Sequence, residues 1–292
     1  MREDAWEGNE LTAEPRIALG AFARSRWMMI FGFPPHAASC PLRPVIPFRN
    51  LAQTRTPDGS TFSLHEHDGE YFLKLNGRQL MSTTSTTSEL LLAQLPCKGI
   101  SRIRNSCVLI GGLGLGFSLR QVLEMARPDT TVHVAELLPE VVAWNREFLR
   151  EVNGKLLGDP RVKAIVGDVF KVIKDAGKVA YDAILLDVDN GPTSFVQPKN
   201  SRLYDRHGFK LIARALRPGG KVAFWSACEE PSFVHNLERA GFKVEAYPAK
   251  AHERAKRAAH VIYVAEVREA WDEEAEKPRP APRDRRPSKP RR

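Results

Sequence analysis

The sequence predicts an α/β protein with a doubly wound, mostly parallel sheet of seven strands, preceded by a small N-terminal β-hairpin domain. Three observations carry this. Beyond residue 100, short apolar runs alternate regularly with amphipathic helical stretches. Between residues 61 and 75, two alternating runs flank Asp68-Gly69, a hairpin turn pair. Two more apolar runs follow the last helical stretch with a short connection, which suits an antiparallel edge. With 292 residues, 42% of them hydrophobic, the chain can bury one large core.

Residues 1–50 mix acids, arginines, tryptophans and prolines without sustained periodicity, although 17–33 is fairly apolar, and poor order is expected there. Glu3, Asp4, Glu7, Glu10 and Glu14 argue against a transit peptide, which is acid-poor. Residues 51–99 form the hairpin domain. TFSLHEH and EYFLKL are its strands, Asn76-Gly77 supplies a second turn, and Ser88 is placed to cap the short helix ELLLAQL. His65 and His67 share one strand face and read as a surface pair, since no third metal ligand accompanies them.

Residues 100–268 carry the main sheet. SCVLIG, TVHVAEL, VKAIVG, YDAILLD and KVAFWS are the parallel strands, and FKVEAYP and HVIYVAEV the closing pair. PEVVAWNREFLREV and RLYDRHGFKLIARAL are among the helices between them. Residues 269–292 form a basic, Pro/Arg-rich tail.

The formal charge of +9 is concentrated in that tail. Residues 277–292 hold eight Lys or Arg against one Asp, leaving +2 for the rest, and five prolines there oppose helix and sheet. The expectation is a solvated tail, with weak nucleic-acid or anionic-lipid contact within its chemistry. No apolar run reaches the ~18 residues of a membrane span, so no membrane partner is expected. Cys40, Cys97, Cys107 and Cys228 lie far apart, which favours neither a disulfide framework nor a zinc site and reads as a reduced, cytoplasmic protein.

VLIGGLGLGFSLRQVL runs from a buried strand through glycines into a helix. Gly111, Gly112, Gly114 and Gly116 let the backbone turn tightly and approach a ligand at a helix start. Glu136 ends the second strand twenty residues after Gly116, where a carboxylate accepts from both ribose hydroxyls. Asp168 follows the third strand and is placed to accept from an adenine amino group; as a plain helix N-cap it would sit in the same place. Asp187, Asp189 and Asn190 cluster at the end of the fourth strand, where a carboxylate can take a proton from an amine nucleophile.

Together, GGLGLGF, the Glu136 strand end, Gly167-Asp168, YDAILLDVDNGP and LYDRHGFKLIARALRPGGKVAFW resemble spermidine synthases and their relatives in the class I fold of S-adenosylmethionine-dependent methyltransferases, a Rossmann-like fold. The resemblance covers about residues 60–266. It implies that Glu136 holds ribose, that Asp168 and Val169 lie against adenine and Pro192 lines that pocket, that Gln79 approaches the nucleoside, and that Asp187 is the proton acceptor. Tyr204 falls where the family places an aromatic near the substrate. The implied donor is decarboxylated S-adenosylmethionine or S-adenosylmethionine itself, with no metal, a small-molecule amine as acceptor, and a homodimer.

Departures from the family pattern bear on the acceptor. The family loop reads GGGDGG, its aspartate gripping the amine, and this chain places Leu115 at that point. Tyr-His-Glu before the first helix becomes Thr87-Ser88-Glu89, and the loop Asp-Ser-Ser-Asp-Pro becomes the shorter Asp187-Val188-Asp189-Asn190. The first reading is aminopropyl transfer from the decarboxylated donor to an amine with Asp187 as base. Methyl transfer from S-adenosylmethionine is the alternative. A noncatalytic nucleoside-binding protein whose tail contacts nucleic acid is the third. Trp144, Trp225 and His260 read as packing residues.

Overall fold

The computed structural model describes residues 47–188 and 198–268. The chain opens as an antiparallel meander of four strands, β1 (Arg49–Arg55), β2 (Thr61–His67), β3 (Glu70–Leu75) and β4 (Arg78–Ser82), hydrogen-bonded in that order. Its turns are those expected: Asp68 and Gly69 have φ of 51° and 78°, and Asn76 and Gly77 50° and 80°. Two successive left-handed residues match the twist of the flanking strands, which is why Asx-Gly pairs occur there. Leu64 and Leu73 face each other across β2 and β3 and are fully buried, so this sheet packs one face on the rest of the domain. The polar strand β1, which carries no alternation, is held by pairing with β2 and by Arg49, whose Nε donates to Glu66 at 2.6 Å.

Helix α1 (Thr87–Gln94) corrects one expectation. Its N-cap residue is Thr86, and no side chain caps it. The Ser88 hydroxyl instead donates to its neighbour Glu89 at 2.6 Å.

All seven strands expected beyond residue 100 are present. They are β5 (Cys107–Gly111), β6 (Thr131–Glu136), β7 (Val162–Val166), β8 (Tyr181–Leu186), β9 (Leu216–Ser226), β10 (Phe242–Ala249) and β11 (His260–Val267), in the order β10-β11-β9-β8-β5-β6-β7. β7, β6, β5, β8 and β9 are parallel, and β11 pairs antiparallel with both β9 and β10. The last strand thus inserts inside the sheet and leaves its predecessor at the edge.

Helices α2 (Phe117–Met125), α3 (Pro139–Glu147), α4 (Arg150–Asn153), α5 (Val169–Asp175), α6 (Arg206–Ala215) and α7 (Pro231–Arg239) complete the domain. α3 and α4 divide what reads as one amphipathic helix. The Trp144 carbonyl accepts from both Phe148 and Leu149, closing the first helix as Leu149 turns into the core at 1% exposure. Trp144 stacks on Phe62 of β2, with ring centroids 6.0 Å apart and planes 7° off parallel. That stack ties α3 to the N-terminal sheet. The central strands are buried on both faces, from Val108 through Ile110 and from Ala183 through Leu186, as parallel strands between two helix layers must be. Among the described residues no helix is long and apolar enough to cross a membrane.

From β5 the chain winds outward through β6 to β7, then returns to β8 and winds the other way. Strand order therefore reverses between β5 and β8, and a crevice opens at their carboxyl ends, where open α/β sheets bind ligands.

Candidate functional site

That crevice is a cavity of about 380 Å³, walled by the strand ends on one side and the N-terminal sheet on the other. The glycine loop leaves β5 along its floor. Gly112 has φ +92°, and a Cβ there would stand 2.3 Å from the Asp187 carbonyl oxygen, so only glycine lets the loop lie against the end of β8. The Asp187 N–H donates to the Gly111 carbonyl at 2.9 Å and fixes that contact. Of the four predicted glycines, Gly112 and Gly114 line the cavity. Gly111 lies under Val169 and Leu186, and Gly116 starts α2 against Asn145 and Asn153.

Leu115 does not stand at the ligand side of the loop. It is fully buried in the core, because α2 must bury an apolar side chain as it starts, and the residue opening onto the cavity is Gly114. Aligned position by position, GGGDGG places its aspartate at Gly114 as well.

Glu136 ends β6 on the cavity wall. Its carboxylate accepts from the Leu113 and Leu138 N–H groups, both at 2.9 Å, and burial pushes its carboxyl above the usual range despite those bonds. Asp168 also lines the cavity, and it is the N-cap of α5: one oxygen accepts from Phe170 N–H at 2.8 Å, the other from Arg202 Nη2 at 2.7 Å. The Arg202 guanidinium lies over the Phe170 ring, 4.5 Å from its centroid. Val169 and Asp187 complete this side. Asp189, Asn190 and Pro192 lie outside the described residues, as does the basic tail.

Two predicted residues are elsewhere. Gln79 is exposed on β4 and does not line the cavity. A bulge between Leu73 and Lys74 shifts the register of β3 against β4, and Leu80 and Met81, successive in sequence, both reach the wall. Tyr204 is buried among Phe224 and Phe233, with centroids 6.0 and 5.9 Å away, and does not line the cavity. Glu89 and Trp225, outside the predicted donor set, also stand on the wall. Glu89 of α1 is only 5% exposed, and burial raises its carboxyl. Trp225 lies one residue before the end of β9, its ring 4.7 Å from that of His260, which burial holds toward the neutral form. His65 and His67 are engaged away from the cavity, His65 with Ser63 Oγ at 2.9 Å and His67 stacked on Phe48 at 4.2 Å.

The electrostatics of the wall are one-sided. Its described residues include four carboxylates, Glu89, Glu136, Asp168 and Asp187, and no Lys, Arg or His. Arg202 is committed to Asp168.

A glycine turn from the first parallel strand, acids at the ends of the next strands and a cavity at the strand-order reversal define an α/β protein of the class I methyltransferase-like fold. The spermine/spermidine synthase domain model matches residues 89–250, more than half of the chain, and the chain belongs to that family. It is 30% identical over 154 residues to a polyamine aminopropyltransferase of Mycobacterium tuberculosis, a match covering 48% of this chain and 27% of that protein. It is 32% identical over 134 residues to putrescine N-methyltransferase 2 of Nicotiana tabacum, covering 45% and 35%. The chain thus spans about a quarter to a third of the length of these curated relatives. Among solved structures, the spermidine synthase of Thermotoga maritima superposes with a TM-score of 0.55 at 17% identity, over 74% of this chain and 72% of that one. A spermidine synthase in complex with the transition-state analogue AdoDATO gives the same score.

Proposed function

We propose that the protein transfers an aminopropyl group from decarboxylated S-adenosylmethionine to a small amine, in the cytoplasm. The observation that carries this is the acid-lined wall, which has no cationic side chain among its described residues. S-adenosylmethionine would bring its own carboxylate into that field, where two like charges ~4 Å apart cost about 4 kcal/mol at an effective dielectric of ~20. The decarboxylated donor brings only an ammonium and a sulfonium, both of which the wall attracts. Membership of the spermine/spermidine synthase family supports the same reading.

In this reading Glu136 accepts from the ribose hydroxyls, Asp168 and Val169 lie against the adenine, and Gly112 and Gly114 admit the donor close to the backbone. Asp187 takes the proton. The acceptor nitrogen gives up that proton, its lone pair forms the new C–N bond, and the C–S bond breaks with its electrons kept by sulfur. A neutral thioether leaves without needing an acid, so the protein's part is alignment and deprotonation. Asp189, Asn190 and Pro192 follow Asp187 in sequence.

Methyl transfer is the second reading, favoured by the likeness to tobacco putrescine N-methyltransferase. Isothermal titration with each donor separates them. Tighter binding of the decarboxylated compound by about tenfold or more is expected; preference for the parent compound would make methyl transfer the activity, and binding of neither would end both readings.

A further inference from the structure

The wall facing the strand ends describes the acceptor. The N-terminal sheet and the turn within it contribute Thr56, Pro57, Phe62, Leu73, Leu80 and Met81 to the described lining, and none of the six ionises. Opposite them the glycine loop presents Gly114, which has no side chain. Met81 fills that space: its sulfur lies 2.7 Å from where a Cβ on Gly114 would sit. Trp225 adds an aromatic face near the end of β9.

A linear diamine at neutral pH carries two ammonium groups. With one nitrogen at Asp187 to react, a second that lay along the described part of this N-terminal wall would meet no counter-charge there, and an ammonium without one is costly to desolvate. An amine with one charge and an apolar body instead exchanges water for Met81, Phe62 and Trp225. We propose that the acceptor is a primary monoamine bearing a branched-alkyl or arylalkyl body, and that Met81 lying over Gly114 sets this preference. The inference rests on the transfer reading above and narrows its substrate class.

Glu89 reaches the cavity from α1 and is the carboxylate best placed to contradict this, by receiving a second ammonium. The test therefore follows thioether release by the full chain with saturating decarboxylated donor and, in turn, phenethylamine, isopentylamine or putrescine. Wild type is expected to favour the monoamines by about tenfold or more in kcat/KM, the discrimination an apolar pocket gives. The double variant Met81→Ala/Gly114→Asp opens the space and installs a carboxylate, and aspartate tolerates the φ of +51° at this position better than most residues. It is expected to move the ratio toward putrescine by about tenfold. In Glu89→Gln the ratio is expected to stay with the monoamines.

Donor titration on each protein keeps the two levels apart and checks that the variants fold. Donor bound and putrescine favoured by wild type overturns the inference and leaves aminopropyl transfer standing. A putrescine preference lost in Glu89→Gln overturns it and makes Glu89 the second anchor. Donor bound but no amine consumed overturns it too. Donor not bound removes the transfer reading itself. The wild-type comparison decides even if the double variant does not fold.

Discussion

In the proposed reaction Asp187 is the residue on which the chemistry turns. It follows directly on β8, its N–H is anchored to the Gly111 carbonyl, and it lines the cavity. Asp187→Asn keeps the shape and removes the proton acceptor. We expect kcat to fall by about 10²–10⁴-fold, the usual worth of a general base, while titration still shows donor binding within a few-fold of wild type. A loss of donor affinity equal to the loss in rate would make Asp187 a binding group instead. Glu136, Asp168 and Asp187 were legible in the sequence because each follows an apolar run at its carboxyl end, and a parallel sheet brings such ends to one rim. Gln79 does not reach the cavity, whereas Leu80 and Met81 beside it do. Side chains alternate along a strand, so the bulge that the unpaired Leu80 makes in β4 decides which residue meets the cavity, and nothing in RQLMS announces it. Glu89 is one of three acids, with Asp187 and Asp189, that the sequence offers for holding an amine, but its burial is not legible there because it depends on contacts made far away in sequence.

At the level of elements, the turn from β5 into α2 is the most constrained. Gly112→Ala would combine a left-handed φ of +92° with a backbone clash at the Asp187 carbonyl, which cannot swing aside as a side chain does. The expected cost is about 2–4 kcal/mol, the sum of left-handed strain and overpacking, seen as a lower denaturant midpoint with unchanged slope. A midpoint equal to that of wild type would show that the loop relaxes freely. The strands of the main sheet were readable because each is a short apolar or alternating run bounded by turn residues. β1 was not, because RNLAQTR gains its strand conformation from pairing with β2 rather than from its own pattern. The break between α3 and α4 was equally hidden. FLREV continues the helical period, and only the burial of Leu149 ends it.

Across the whole molecule, buried acids set a pH dependence. Burial raises the carboxyl of Glu89 above its ordinary value of 4.5, so the folded state binds that proton more tightly than the unfolded chain does. Its favourable contribution is fully present below about 4.5 and is lost as pH rises through the raised value. Glu89→Gln removes the titration and can keep the Ser88 hydrogen bond. The variant should therefore melt above wild type at pH 8, by about 2–4 °C for each kcal/mol regained, with the gap closing toward pH 4.5. A constant gap across that range would assign the difference to packing rather than charge.

The insertion of β11 between β9 and β10 bears on synthesis. A chain emerging from the ribosome delivers β9 and then β10, yet these two never pair with each other. Until residue 267 has been made, β9 has an open side in the nascent sheet and β10 has no partner strand. One half of the sheet must therefore wait for the last strand, and an open apolar edge in the meantime is what a chaperone or a neighbouring nascent chain would meet first.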